Sequence, residues 1–62
     1  MTPLRSIREG RAMSVAELAR QTGVSRRMLD YLERGERKPS LDVAQRIAKA
    51  LRITVARIFP AE

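Results

Sequence analysis

The fold is decided by residues 18–35, which read LARQTGVSRRMLDYLERG. Ala19 is small enough to let a second helix approach the first, and Gly23 supplies the left-handed backbone that a tight turn requires. Three apolar residues follow at spacings that pack the two helices against a core: Val24, Leu29 and Leu32. The stretch predicts a helix-turn-helix, although the same spacing also fits any compact helical hairpin.

Upstream of this stretch, the sequence predicts where two helices begin. Thr2 offers an N-cap hydroxyl and is followed by proline, so a first helix is expected to run to near Gly10. Ser14 and Glu17 have the spacing of a capping box, in which each side chain accepts the backbone N–H of the other residue. A second helix therefore begins after Ser14 and is expected to run to about Gln21.

Downstream, the pattern predicts three more helical segments. Ser25 caps a third helix over residues 26–34, which stops at Gly35, and Ser40 caps a fourth. We expect the apolar stripe of the fourth helix to form the floor of the core: Leu41, Ala44, Ile47, Ala48 and Leu51. Thr54 caps a last helical turn, and the whole pattern is typical of an all-α fold.

The composition limits what the chain can do. It has 62 residues, with neither cysteine nor histidine. We therefore expect one small domain over residues 1–62, with no disulfide, metal or cofactor, and no enzymatic activity. No apolar run exceeds two residues, so a location in the reducing cytoplasm is expected and a membrane segment is not.

The charge favours a polyanionic partner. Thirteen Lys and Arg residues against seven Asp and Glu give a net charge of +6. Such a surface attracts nucleic acid at long range, but basic surfaces also bind anionic membranes, ribosomes and acidic proteins. Charge alone therefore makes nucleic acid the leading partner class without settling it.

Two motifs extend the pattern well beyond a simple hairpin. The first motif is Leu18-Ala19-x-x-x-Gly23-Val24-Ser25, and the second is Leu32-Glu33-x-Gly35-x-x-x-Pro39-Ser40. The predicted helix 41–51 follows the second motif. With these motifs the chain resembles, from Leu4 to Phe59, the lambda-repressor-like family of Cro- and cI-type regulators. The resemblance implies a compact five-helix domain in which helices 2 and 3 form the helix-turn-helix and helix 3 reads the DNA major groove.

Two residues depart from the family's pattern. Val15 stands where the family often has a glutamine that contacts a phosphate, so one phosphate contact is expected to be missing. Thr22 stands where the family usually has an apolar residue. This second change is expected to affect packing more than chemistry.

The third helix supplies the candidate residues for reading bases. A helical projection turns Leu29 and Leu32 to one side and Arg27, Asp30, Tyr31 and Arg34 to the other, with Arg26 and Met28 on the flanks. Because a recognition helix presents its N-terminal residues to base edges, we expect the readers to be Ser25, Arg26, Arg27, Met28 and Tyr31. Arginine can hold guanine O6 and N7 with two hydrogen bonds, and methionine can touch a thymine methyl group. The alternative is a solvated face with no reading role.

Asp30 and Tyr31 each allow more than one role. Asp30 could repel phosphate, accept a bond from cytosine, or orient Arg26 or Arg34 four residues away, and we favour orientation. Tyr31 could contact DNA or pack partly on its own domain.

Three further basic residues are expected to contact DNA phosphates from the rim of the helix: Arg34, Arg37 and Lys38. The loop that follows the recognition helix contacts the DNA backbone in the family. Their alternative role is to keep the surface soluble.

The resemblance also implies an ion pair and a dimer. Arg8 and Glu33 occupy positions that form a partly buried ion pair between the first and third helices in the family. A dimer is expected to pair through the C-terminal end, over Val55, Arg57, Ile58 and Phe59, although Phe59 could instead close the core.

Three classes of function remain open. The first is a repressor-like regulator that binds an operator as a dimer, either already paired in solution or only on DNA. The second is the antitoxin of a toxin–antitoxin pair, and the third is a protein-interaction module that never contacts DNA. No small-molecule ligand is expected for any of them.

Overall fold

The computed structural model describes residues 2–60, which form five α-helices and no strand. The helices are α1 Leu4–Gly10, α2 Val15–Thr22, α3 Arg26–Arg34, α4 Leu41–Leu51 and α5 Val55–Ile58. This confirms the all-α, five-helix prediction, and α2 ends one residue later than expected. Residues 1, 61 and 62 of the predicted domain lie outside the described residues.

Every helix contributes to one core. α2 packs against α3 and α4, α1 packs against α3, and α5 packs against α4. The largest fully buried side chains are Leu4, Leu18, Leu29, Leu32, Ile47, Leu51 and Ile58. Each contributes about 1.5–3 kcal/mol of transfer free energy, so loss of any one is costly in a domain this small.

Three serines cap helices as predicted. Ser14, Ser25 and Ser40 have extended backbones, and each Oγ accepts the backbone N–H three residues on, at 3.0, 3.1 and 3.2 Å respectively. The second half of the predicted capping box does not form, because the Glu17 carboxylate accepts instead from Gln21 Nε2 at 3.3 Å.

The predicted Thr2 cap is wrong. The N-cap of α1 is Pro3, and Thr2 Oγ1 instead donates to the backbone oxygen of Leu32 at 2.8 Å. The Thr2 N–H also donates to the Glu33 oxygen, so this residue ties the start of the chain to the end of α3. Thr54 does precede α5, but its side chain makes no capping hydrogen bond.

One residue of the predicted α4 stripe lies outside the core. Leu41 is 71% exposed, whereas the stripe residues from Ala44 onward are buried. Leu41 is the first residue of α4, and the first buried residue of the stripe, Ala44, lies about one turn further along the helix. The predicted floor of the core is therefore one helical turn shorter than expected.

Three helices end on a residue with a left-handed backbone, and a fourth left-handed residue lies just beyond the end of α1; only two of the four residues are glycine. Gly23 (φ 74°) ends α2 and Gly35 (φ 76°) ends α3, as predicted. Ala12 (φ 54°) follows α1 and Arg52 (φ 57°) ends α4. Gly10 is the last residue of α1, which therefore ends where predicted.

Thr22 is a buried polar residue whose hydroxyl has two partners. Its Oγ1 donates to the Leu18 oxygen at 2.7 Å and accepts the Val24 N–H at 3.1 Å. The side chain thereby replaces hydrogen bonds that water would make at the turn after α2. This accommodates a polar residue where the family's pattern has an apolar one.

Candidate nucleic-acid interface

The two faces of α3 differ sharply. Leu29 and Leu32 are fully buried against the core, whereas Arg26, Arg27 and Asp30 on the outward side are exposed. Gly23 and the buried Val24 form the turn that sets α3 against α2. The helix therefore presents a polar, solvent-exposed face along its whole length.

The N-terminal end of α3 carries two arginines with unneutralised charge. Within residues 2–60, neither Arg26 nor Arg27 forms an ion pair or a side-chain hydrogen bond. Both guanidiniums therefore keep all of their donors for an external partner.

Ser25 and Met28, at the same end of α3, already have contacts within the domain. Ser25 Oγ accepts the Met28 N–H, which leaves its hydroxyl proton available to donate. Met28 is half-buried and packs on the core, so only part of its side chain faces outward.

The other end of α3 is electrically balanced. Arg34 forms an ion pair with Asp30 on the same helix, and its Nη1 lies 3.4 Å from Glu36 Oε2. The hydrogen bond to Asp30, and then the negative charges of Asp30 and Glu36, raise the pKa of Arg34. Asp30 therefore orients Arg34 rather than Arg26, and Arg34 is already partnered at the place where a phosphate contact is expected.

Tyr31 lies beside two guanidinium groups. The Cζ atom of Arg37 is 4.8 Å from the centre of the tyrosine ring, and that of Arg34 is 5.9 Å away. Tyr31 is half-buried, whereas Arg37 and Lys38 are exposed in the loop between α3 and α4. Sequence spacing missed the contact between Tyr31 and Arg37, because six residues and a helix end separate them.

Arg8 and Glu33 form a buried, two-pronged ion pair between α1 and α3. Arg8 Nε donates to Glu33 Oε2 at 2.7 Å, and Arg8 Nη2 donates to Oε1 at 3.1 Å. The third nitrogen, Nη1, donates to the Met13 oxygen at 2.9 Å. The hydrogen bond to Glu33 raises the pKa of Arg8 against the opposing effect of burial. The pair holds α3 from its inner side and leaves the outer face free.

The candidate dimer residues do not lie together on the surface. Ile58 is fully buried, so it is a core residue that cannot contact a second copy. Val55 and Phe59 are half-buried and pack on the core, and Arg57 is exposed. Val55 and Phe59 line an open groove of about 460 Å³. The exposed Leu41 lines the same groove. The sequence analysis placed Leu41 in the core, so its exposure beside this groove was not predicted.

Other kinds of site find no support in the described part of the chain. Residues 2–60 contain no group of three His, Cys, Asp or Glu side chains placed to hold a metal ion. No helix among them is both long and apolar enough to cross a membrane.

The fold and the exposed basic face of α3 define a helix-turn-helix domain. The helix-turn-helix family model, of the Cro/cI type, matches residues 4–58. The chain therefore belongs to the helix-turn-helix family, whose members are regulators of transcription.

The relatives named as transcriptional regulators include both longer proteins and proteins of similar length. An uncharacterized HTH-type transcriptional regulator of Mycobacterium tuberculosis is 46% identical over 56 residues, which cover 90% of this chain and 40% of that protein. The HTH-type transcriptional regulator SutR of Escherichia coli is 38% identical over 52 residues, covering 84% and 29%. An uncharacterized HTH-type transcriptional regulator of Archaeoglobus fulgidus is 34% identical over 58 residues, covering 94% and 83%. The chain thus spans less than half the length of the first two.

Proposed function

We propose that this chain binds double-stranded DNA sequence-specifically, with α3 in the major groove, and represses transcription as a dimer on an inverted repeat. The observation that carries this proposal is the contrast along α3. Arg26 and Arg27 at its N-terminal end have no carboxylate partner within residues 2–60, whereas Arg34 at the other end has two. The free charge therefore lies at the end of a recognition helix that approaches the bases.

Base reading is assigned to the N-terminal half of α3. Arg26 and Arg27 each have the donors to hold guanine O6 and N7, which discriminates by about 1–3 kcal/mol per contact. Ser25 can donate its hydroxyl proton to a base or phosphate, and the outer part of Met28 suits a thymine methyl group. Tyr31 lies about one turn further from this end of α3.

Phosphate contacts are assigned to the loop after α3. Arg37 and Lys38 are exposed and form no ion pair among the described residues, so their charges are available to neutralise phosphates. Arg34 can reach a phosphate only by exchanging its present carboxylate partners for it. We therefore expect Arg34 to contribute less to phosphate binding than Arg37 and Lys38 do.

Pairing of two copies is assigned to the groove at the C-terminal end. One module contacts only a few base pairs, and two recognition helices about 34–36 Å apart read successive major grooves on one side of the duplex. The exposed Leu41 and the half-buried Val55 and Phe59 line this groove and offer an apolar surface, and Arg57 is exposed on the same helix as Val55. Burying this surface against its copy removes Leu41 from water and gives the operator two-fold symmetry.

The test begins with selection of bound sequences from a random duplex pool by the wild-type chain. We expect an inverted repeat with guanines opposite Arg26 and Arg27. Arg26→Lys and Arg27→Lys keep the charge but lose the two-pronged geometry, so each is expected to lower the preference for its guanine. The matched control is Arg5→Lys, an exposed arginine of α1 paired with Glu9 at 3.2 Å, which should leave base preference unchanged.

Each outcome has a separate meaning. Selection of no sequence refutes specific DNA binding, and selection of single half-sites refutes the dimer. Unchanged preference in both lysine variants refutes reading by α3. A promoter fusion whose expression rises on deletion of the gene supports repression, and a fall in expression refutes it. The shared designation of the relatives as transcriptional regulators supports regulation over the antitoxin alternative.

A further inference from the structure

Tyr31 occupies the middle of the outward face of α3, but its surroundings are not those of a free base-reading side chain. Its ring is half-buried and has the Arg37 guanidinium 4.8 Å from its centre, with that of Arg34 at 5.9 Å. A cation over an aromatic ring is attracted by the negative potential of the ring face. The ring is thus already in contact with its own domain.

The two arginines beside Tyr31 differ in their charge balance. Asp30 and Glu36 both contact the Arg34 guanidinium, so this charge is compensated within the domain. Arg37 contacts no carboxylate among the described residues, and its only described side-chain partner is the tyrosine ring. An aromatic face attracts a guanidinium without accepting its hydrogen-bond donors in the way a carboxylate does. Arg37 is therefore held in place while its donors stay available.

The backbone between the two residues is also fixed. The Gly35 N–H donates to the Leu32 oxygen at 3.2 Å, and the Glu36 N–H donates to the Tyr31 oxygen at 2.9 Å. These two bonds close the end of α3 and lead the chain back past Tyr31, with Gly35 in the left-handed conformation. Arg37, the next residue of the loop, therefore lies beside the Tyr31 ring.

We propose that Tyr31 is a positioning residue: its ring holds the Arg37 guanidinium in place to bind a DNA phosphate, and Tyr31 does not itself read a base. This inference rests on the DNA binding proposed above. It assigns Tyr31 to affinity rather than to sequence preference. Ordering a flexible arginine before binding lowers the entropic cost of the phosphate contact.

The test uses the full chain and the duplex selected by the wild type. Dissociation constants are measured over a range of salt concentrations for Tyr31→Leu, Tyr31→Phe, Arg37→Ala and the Tyr31→Leu/Arg37→Ala double variant. Arg37→Ala is expected to lower the log–log salt slope by about 0.9, the loss of one phosphate contact. Tyr31→Leu is expected to weaken binding about two- to fivefold and to lower the slope by a fraction of that amount, with base preference unchanged.

Two comparisons separate positioning from a general structural effect. Tyr31→Phe keeps the ring face and should bind as the wild type does. In the Arg37→Ala background, Tyr31→Leu should have no further effect, because the residue it positions is gone. Without DNA, the side-chain NMR resonances of Arg37 should show a ring-current shift in the wild type and in Tyr31→Phe, and lose it in Tyr31→Leu.

Four results would overturn the proposal: a changed base preference in Tyr31→Leu, an equal loss in Tyr31→Phe, additive losses in the double variant, or no ring-current shift on Arg37. These results leave the proposed function standing, provided that the wild-type chain selects a sequence. If the wild-type chain selects none, the proposed function fails and this role of Tyr31 fails with it.

Discussion

Replacing Arg8 with alanine leaves the Glu33 carboxylate buried without its partner. The two residues are only 8% and 6% exposed, and two hydrogen bonds of 2.7 and 3.1 Å join them. Breaking such a pair from one side costs about 3–5 kcal/mol. At about 0.05–0.15 kcal/mol per residue, a chain of this length has roughly 3–9 kcal/mol in all. Arg8→Ala is therefore expected to remove from a third to all of the stability.

The assay is urea unfolding followed by far-ultraviolet circular dichroism. Arg5→Ala is the matched control, because Arg5 pairs with Glu9 on the same helix at 3.2 Å with both side chains 56% exposed. Its expected loss is under about 1 kcal/mol. The double replacement Arg8→Met/Glu33→Leu should recover most of the stability, since no unpaired charge remains. If Arg8→Ala costs no more than Arg5→Ala, the buried ion pair contributes no more to stability than an exposed one, contrary to this prediction.

Three other substitutions test separate features. Ala12→Gly relaxes a left-handed backbone (φ 54°) and should raise the free energy of unfolding by about 0.5–1 kcal/mol. The control Ala16→Gly, in α2, should lower the free energy of unfolding. If both substitutions lower it, the left-handed conformation of Ala12 is contradicted. Asp30→Asn releases Arg34 and removes a negative charge from the outward face, so filter-binding titrations should show tighter binding to every duplex. Weaker binding would instead indicate that Asp30 accepts a hydrogen bond from DNA. Leu41→Glu should leave unfolding unchanged but abolish cooperative binding of two copies to the inverted repeat, and unchanged cooperativity would exclude Leu41 from the dimer surface.

The sequence predicted the parts of the fold that depend on local signals. Serine caps are read from the chain itself, and all three have the expected hydrogen bond. Gly23 and Gly35 end helices because glycine adopts a positive φ without steric cost. Helical spacing also separated the buried Leu29 and Leu32 from the outward residues of α3.

The features that the sequence did not predict depend on contacts between distant residues or on tolerated strain. Ala12 and Arg52 adopt a left-handed backbone without being glycine, so the sequence predicted where α1 and α4 end but not the conformation of the residues that follow them. Thr2 has the sequence of an N-cap, but a carbonyl thirty residues away accepts its hydroxyl proton.

The exposure of Leu41 follows from which elements reach the first turn of α4, which spacing along one helix cannot show. The same holds for the candidate site. The Asp30–Arg34 ion pair has helical spacing and could be predicted from it, whereas the Tyr31–Arg37 contact crosses a helix end and could not.

The position of Tyr31 also has a practical consequence. The chain contains one tyrosine and no tryptophan, so its ultraviolet emission comes from this single ring. That ring lies on the outward face of α3 beside Arg37, within the region proposed to meet the duplex. Emission from the unlabelled protein therefore reports on one known point, and a change on adding DNA would follow docking without a dye that could disturb so small a domain.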